Sequence, residues 1–516
     1  MIKTGSRPMT DDSIRLGYIL VFAAAAVLYA ATCAPGPIWQ DGGLIQYRVW
    51  HNDIEGKLGL ALSHPLFYII AIPAKYIPLG EFAYRVNLTA ALISALAVAN
   101  LFLLLALWLR SATAKGPWGL PAVVGALSLA LSHTFWSNAA IPETYNLSMA
   151  LLFLELIILL RYAGTGRVTW LYALAFVNGL AIANHVLASI PLVCYLALVA
   201  VLLGRRQIAG RHILIMALLW IIGALPYEYL IIKDILQRGD FWSTMSSAAF
   251  GKGYKADVLN TSLSGRIIKE NLMWMALNFP TPNILLTFVG VSALHRASPK
   301  TWFARIILAL LVLFLLFAFR YTVVDRYVFF IPFYCIVSIL IAVGACRILA
   351  RRRRKSLGRI MVALCFLTIP AYMAAPKAAK RLGITSPRER NIPYRDDYTY
   401  FLRPWQTGYR GAERFADEAL DAVRQDAIVY ADGTTAPPLL YAQEVKAKRP
   451  DVKIASPLGC SPGSPELNEQ TLDGLLAEQR IYVVSPVKKY CPDLLLERCT
   501  FEPAGPIYRA LPKRAE

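Results

Sequence analysis

Charge is what this sequence has least of. Charged residues fill 17% of its 516 positions, only 33 are acidic, and histidine occurs six times. Soluble domains carry roughly a quarter charged residues, so an ordinary soluble fold is excluded. The eight cysteines show no zinc-type spacing, which removes a structural zinc site. Cys33, Cys194, Cys335, Cys346 and Cys365 lie in or beside apolar runs, where small buried thiols are common. Cys460, Cys491 and Cys499 fall near the C-terminus and allow one disulfide with one thiol left over. No internal repeat and no low-complexity linker interrupts the chain.

What the chain has in abundance is apolar sequence. Apolar, aromatic and cysteine residues make up 57% of it, with a mean hydropathy of +0.47. These residues gather in runs over 16–34, 86–109, 145–160, 186–203, 213–232, 306–319, 328–345 and 360–375. A helix needs roughly 20 apolar residues to cross a hydrocarbon core. Runs this long satisfy their backbone in lipid only as helices. Weaker runs at 120–131, 171–183 and 271–294 are short or broken by Pro121, Pro280 and Pro282. Broken spans are tolerated where the freed backbone faces protein or a wet cavity. The expectation is a mainly α polytopic bundle of about eleven spans. The first apolar run is longer than a usual signal-peptide core and lacks a small-x-small site after it, so it reads as a span.

The formal charge of +20 is explained by placement. Basic residues cluster in alternate connections: Arg110 and Lys115, Arg161 and Arg167, Arg205, Arg206 and Arg211, then Arg296, Lys300 and Arg305. A run of Arg351, Arg352, Arg353, Arg354 and Lys355 follows, and Lys3, Arg7 and Arg15 precede the first span. This is the positive-inside pattern. It puts the N-terminus in the cytoplasm and the C-terminal tail outside, and it argues against nucleic acid as a partner. Membrane lipids are the expected surroundings, with anionic headgroups near the 351–355 run.

Two domains are expected: membrane spans over 1–376, with a long first external loop at 35–84, and a soluble extracytoplasmic unit over 377–516. In that tail, charge rises and long apolar runs stop. Apolar residues recur at helical spacing in 412–424, a strand-like run follows at 427–430, and a helix is expected over 437–448. A strand near 452–455, a helix at 472–479 and a strand at 481–484 complete an alternation typical of a small α/β domain.

Charged groups at membrane depth are costly and point to function. On the side assigned to the exterior stand Asp41, His64, Arg85, Glu143, Asn184, His185, Asp325 and Arg326. Each has an ordinary structural reading. Asp41 fits a helix start or turn, His64-Pro65 a helix entry, and Arg85 a snorkelling side chain. Glu143 fits a helix N-terminus, Asn184 and His185 interhelical bonding, and Asp325-Arg326 a surface pair. The shared side of Asp41, His64, Glu143, Asn184, His185 and Asp325 makes one common cavity for these six the sharper expectation.

The order Asp41-Gly42-Gly43, Ser63-His64-Pro65 and Tyr84-Arg85-Val86-Asn87-Leu88 resembles the GT-C membrane glycosyltransferases. It is most similar to the group of plexin-type protein O-mannosyltransferases and their bacterial relatives. Further matches are Ser132-His133-Thr134-Phe135-Trp136-Ser137 with Glu143-Thr144-Tyr145, Gly179-Leu180-Ala181 with Asn184-His185, Asp325-Arg326-Tyr327, and Tyr441-Ala442-Gln443 with Arg449-Pro450-Asp451-Val452. Two departures stand out. Leu44 occupies the region where the family often has a second acidic residue, and Leu66-Phe67 replaces the usual Pro-Gly after His64-Pro65.

The resemblance implies a GT-C enzyme of a bacterial inner membrane with its tail in the periplasm. It would move a sugar, by analogy mannose, from a polyprenyl-phosphate carrier to a hydroxyl acceptor, with inversion. Asp41 would be the base. Arg85, Arg320 and Arg326 would hold the departing phosphate, while Glu143, His64 and His185 would bind sugar hydroxyls or orient Asp41. A divalent metal ion is allowed but not demanded. Two other classes stay open: a transporter or lipid flippase, which would often show duplicated halves absent here, and a catalytically silent scaffold.

Overall fold

The computed structural model describes residues 12–112, 117–323, 325–352, 354–384, 390–457, 459–460 and 467–513. Lys3, Arg7, Lys115 and Arg353 of the basic pattern lie outside them, as does the side chain of Cys460.

The long apolar runs form helices. They are α1 (Asp12–Thr32), α4 (Phe82–Ala112), α7 (Tyr145–Thr165), α9 (Ser189–Gly204), α10 (Gly210–Arg238), α15 (Thr301–Arg320), α16 (Ile331–Arg352) and the pair α17 (Lys355–Cys365) and α18 (Thr368–Arg381). Between α1 and α4 lie α2 (Gln40–Trp50) and α3 (Pro65–Ala71). Among the described residues, eight helical segments are long and apolar enough to span. Two more spans are bent pairs: α5 (Gly119–Ala130) with α6 (His133–Ala140), bent by 64°, and α13 (Gly265–Asn278) with the segment through α14 (Leu286–Ala297), bent by 108°. The eleventh expected span, at 171–183, is the shorter apolar helix α8 (Thr169–Asn184), so eight to ten helices stand against the eleven or so expected. The chain is a multi-pass membrane protein. Helix α10 runs on to Arg238, beyond the expected end at 232, and α11 (Phe241–Phe250) and α12 (Lys255–Leu259) follow it in the connection.

Helices α4, α7 and α16 are buried along most of their length, whereas α1 lies at the periphery. With no hydrophobic drive between helices in lipid, close approach and hydrogen bonds must hold them. Glycines supply the approach. A Cβ at Gly179 would stand 2.2 Å from the Trp220 carbonyl, and one at Gly223 2.2 Å from that of Phe176, so α8 and α10 touch backbone to backbone.

The two bends are joined. A broken helix frees backbone groups that lipid cannot satisfy. The amide of Thr134, just after the first bend, donates to Asn278 Oδ1 at the second, 2.9 Å away. The hydroxyl of Tyr372 on α18 lies 3.1 Å from the Leu131 carbonyl and 3.2 Å from that of Asn278. One tyrosine thus serves both bends.

The tail begins with α19 (Asp397–Leu402) and α20 (Gly411–Ala422). Then follow β1 (Ile428–Tyr430), α21 (Ala436–Glu444), β2 (Lys453–Ser456), β3 (Gly459–Cys460), α22 (Glu469–Ala477), β4 (Ile481–Val483), α23 (Asp493–Arg498), β5 (Cys499–Ala504) and β6 (Ile507–Pro512). The sheet order is β3-β2-β1-β4-β6-β5. Strands β2, β1 and β4 are parallel, with Val429 opposite Ile454 and Tyr482; β3 pairs antiparallel with β2, and β6 antiparallel with both β4 and β5. Alternation divides the sheet between two cores. Val429, Ile454 and Tyr482 face α20 and α21, while Ile428, Tyr430, Ala455, Ile481 and Val483 pack with Leu472, Leu476 and Leu495. The β5–β6 hairpin and α19 carry no strong periodicity and are additions to the sequence-based reading. Cys491 and Cys499 are free, buried thiols.

Replacing Asn278 by alanine leaves the Thr134 amide buried without a partner. Asn278→Ala is expected to cost about 1–3 kcal/mol, read as a lowered thermal midpoint in detergent beside Ser292→Ala, an exposed serine bonded only to its own helix. Equal midpoints for the two variants would show that the bends do not depend on this bond.

Candidate functional site

Helix α2 presents one face to a cavity of about 390 Å³. Asp41, Leu44, Ile45 and Arg48 line it, at the i, i+3, i+4 and i+7 spacing of a single helical face. Glycine sets this helix in place. A Cβ at Gly42 would lie 2.3 Å from the Ile38 side chain and 3.3 Å from the Pro142 carbonyl, and one at Gly43 would lie 2.2 Å from the Ile38 carbonyl. The glycines after Asp41 therefore serve contact with the protein itself, and they bring Asp41 against the loop that carries Glu143.

Five of the expected residues meet in the cavity: Asp41, His64, Glu143, His185 and Asp325. His64 caps α3 in a left-handed conformation, φ 51°, with Pro65 at the first helical position. A non-glycine residue held there is strained and marks a site worth explaining. Its Nδ1 donates to the Asn184 carbonyl at 2.7 Å, which leaves Nε2 as the acceptor of the neutral ring. His185 is the opposite tautomer. Its Nδ1 accepts the Leu187 amide at 3.1 Å, so Nε2 carries the proton. The two rings stand 4.7 Å apart.

Asn184 itself does not line the cavity. Its side chain donates to the Thr144 carbonyl at 3.0 Å and to Ser148 Oγ at 2.7 Å, and its carbonyl orients His64. The three arginines expected to hold phosphate lie elsewhere. Arg85 donates to the carbonyls of Lys75 and Ile77, Arg320 to those of Val258 and Asn260, and Arg326 to Glu270 and Asn271. Their positions at helix ends suggested a shared direction, but Arg85 and Arg320 satisfy nearby backbone carbonyls and Arg326 satisfies side chains of α13. The arginine that lines the cavity is Arg48. Its guanidinium donates to the Ser63 carbonyl at 3.0 Å and lies 3.8 Å from the centre of the Tyr68 ring, with Asp53 at 3.5 Å. The seven-residue interval from Asp41 was the signal that could have found it.

Electrostatics divides the cavity. Water reaches Asp41 through the cavity, yet protein surrounds the carboxyl otherwise; this surrounding protein, and then the charge of Asp325, raise its pKa. Burial raises Asp325 as well. Glu143 is pushed well up, by burial first and then by Asp41 and Asp325. Burial lowers His64 to about 4, and burial with the neighbouring His64 lowers His185. The histidines are therefore neutral near pH 7, and three carboxyls compete for charge around one arginine. Aromatic walls come from Tyr68, Tyr145, Tyr254, Tyr321, Phe317 and Phe329. Among the described residues, no three His, Cys, Asp or Glu side chains are grouped to hold a metal ion.

Comparison with known proteins supports the resemblance read from the sequence. Residues 60–208 match the family described as the Protein O-mannosyl-transferase TMEM260 N-terminal domain. Protein O-mannosyl-transferase TMEM260 of Mus musculus is 24% identical over 485 residues, which are 87% of this chain and 63% of that protein. The chain thus spans less than two thirds of the relative's length. The fold is shared with solved structures of ArnT. ArnT from Cupriavidus metallidurans bound to undecaprenyl phosphate superimposes with a TM-score of 0.57 at 14% identity, covering 96% of this chain and 98% of that one. The apo form gives 0.59, also at 14% identity, with 96% and 97% covered.

The raised carboxyls have a thermodynamic sign. The native state binds their protons more tightly than the unfolded chain, where an aspartate titrates at about 3.9. Stability is therefore lost as pH rises from that value through the raised native one. Asp41→Asn removes the penalty, so its thermal midpoint is expected to exceed that of the wild type by more at about pH 8 than at about pH 5. An offset of the same size at both pH values would show that Asp41 is not held against ionisation.

Proposed function

We propose that this chain, a GT-C-fold membrane protein carrying a TMEM260-type N-terminal domain, is a glycosyltransferase. It takes a sugar, with mannose first in line, from a polyprenyl-phosphate carrier and moves it to a hydroxyl on the outer face of the membrane. The observation that carries the reading is the convergence of Asp41, Glu143, Asp325, His64 and His185 with a single arginine in one cavity. Its volume suits one sugar and a phosphate.

The acceptor O–H attacks the anomeric carbon as the bond from that carbon to the phosphate oxygen breaks, with inversion. Asp41, at the start of α2 and open to the cavity, takes the acceptor proton. Its raised pKa suits this work, because a base is most effective when its conjugate acid titrates near the working pH. Negative charge collects on the departing lipid phosphate. Arg48 is the cation placed to receive it, which moves the phosphate role from Arg85, Arg320 and Arg326 to the cavity-facing side of α2. His185 Nε2–H donates to a sugar oxygen and His64 Nε2 accepts from a hydroxyl; the two opposite tautomers let one pair of rings read both. Glu143, driven toward its protonated form, adds a donor. The tyrosine and phenylalanine walls cover the sugar's apolar faces.

Leu44 lies on the same helical face as Asp41, so the missing second acid leaves an apolar patch beside the base. This favours an acceptor whose hydroxyl sits on an apolar stem. The positive-inside pattern supports a cavity and an α/β unit on the outer side, which in a bacterial cell is the periplasm.

Protein in lipid nanodiscs is offered radiolabelled polyprenyl-phosphate mannose beside Asp41→Asn and Arg48→Ala. Wild type should release or transfer sugar, Asp41→Asn should lose roughly a hundredfold or more in kcat, and Arg48→Ala should lose kcat as well. Turnover by wild type and Asp41→Asn alike would move the base to Glu143. No turnover across a panel of lipid-linked sugars would overturn the enzyme reading.

A further inference from the structure

Helix α2 has two working faces. Asp41, Leu44, Ile45 and Arg48 look into the cavity. Gln40, Gly43, Tyr47 and His51 form the other face, again at helical spacing, and each touches the C-terminal α/β unit. The N-terminus of α2 has no side-chain cap. Instead, the Gln40 amide donates to the Thr434 carbonyl at 3.3 Å, in the loop between β1 and α21. A Cβ at Gly43 would stand 2.9 Å from Pro437 Cβ in the first turn of α21. At the far end, Glu444 closes α21 and accepts from the Tyr47 hydroxyl at 3.1 Å and 3.2 Å while pairing with His51 Nε2 at 2.7 Å. Trp39, immediately before α2, donates its indole N–H to the Tyr409 hydroxyl at 2.5 Å and packs on Phe415 at 5.2 Å between ring centres.

We propose that α21 is a splint for α2. The C-terminal α/β unit holds the helix at both ends and at its middle, and so fixes where Asp41 and Arg48 stand in the cavity; Glu444 and Tyr47 are positioning residues. The inference rests on the transferase reading for its kinetic consequence but not for its structural one. Ordinary surface docking would need contact with α2 somewhere. The structure has contact along the whole helix, from a carbonyl at its first amide to a carboxylate at its last turn, with a glycine where the two helices are nearest. The flanking ion pairs, Lys446 with Glu81 at 3.0 Å and with Glu413 at 2.6 Å, are part-exposed and add little by themselves. The bonds of Glu444 act directly on α2, and a displacement of an ångström at a reacting group costs roughly a hundredfold in rate.

The test uses the full chain in nanodiscs and the variants Glu444→Ala, Glu444→Gln and Tyr47→Phe, with two readouts. Hydrogen exchange follows residues 40–50, with β1 and β4 as internal reference. Transfer kinetics follow kcat and KM for the polyprenyl-phosphate sugar. Glu444→Ala is expected to speed exchange in 40–50 while β1 and β4 hold, and to lower kcat roughly tenfold to a hundredfold with KM nearly unchanged. Glu444→Gln, which keeps an acceptor for Tyr47, should restore most of both, and Tyr47→Phe should fall between. Unchanged exchange in 40–50, a change in KM alone, or a glutamine no better than alanine would each overturn the splint. If wild type transfers no sugar while exchange in 40–50 responds as described, the transferase reading fails and the splint stands. If Asp41→Asn abolishes transfer while Glu444→Ala leaves 40–50 untouched, the splint fails and the transferase reading stands.

Discussion

The close approach of α2 to its neighbours is the constraint on which the site depends. Gly42 lies against Ile38 and the Pro142 carbonyl, and Gly43 against the Ile38 carbonyl and Pro437. With side chains at these positions, α2 would be pushed from the loop of Glu143 on one side and from α21 on the other. Asp41 would leave its neighbourhood, and the seven-residue offset would carry Arg48 with it. A short helix of modest apolar content is thus fixed by what it lacks at two positions, while the surrounding bundle supplies rigidity.

Charge follows from that placement. Three carboxyls share a cavity with one arginine, and burial works against ionising all three. The histidines answer by staying neutral, each held in a fixed tautomer by backbone: His64 through the Asn184 carbonyl and His185 through the Leu187 amide. A site built this way is strained electrostatically before any substrate arrives. The strain can persist because the helices behind it, α4, α7 and α16, are buried and tightly joined.

Much of this was legible in the residues. Apolar runs long enough for lipid become helices because nothing else satisfies their backbone there, and the strands of the α/β unit show in short apolar stretches such as 427–430. The convergence of Asp41, His64, Glu143, His185 and Asp325 was legible as a shared side of the membrane. The arginines were not. Arg85, Arg320 and Arg326 share that side too, but a long side chain takes the nearest carbonyl or carboxylate, and loop geometry decides which that is. Arg48 was hidden because α2 is too short and too polar to register as a helix without its neighbours. The β5–β6 hairpin was hidden for a related reason: its strands alternate weakly and gain their order from each other and from the pairing of β6 with β4.

The joined bends have a consequence for each other. The Asn278 side chain serves the Thr134 amide, and the Tyr372 hydroxyl sits between the carbonyls of Leu131 and Asn278. Straightening the second span would take the Asn278 side chain from the Thr134 amide and leave a backbone group of the first span without its partner, so the two bends are not independent. These bonds couple the two breaks, so the geometry favours keeping both, and the tyrosine on α18 belongs to that coupling although it lies in neither broken span.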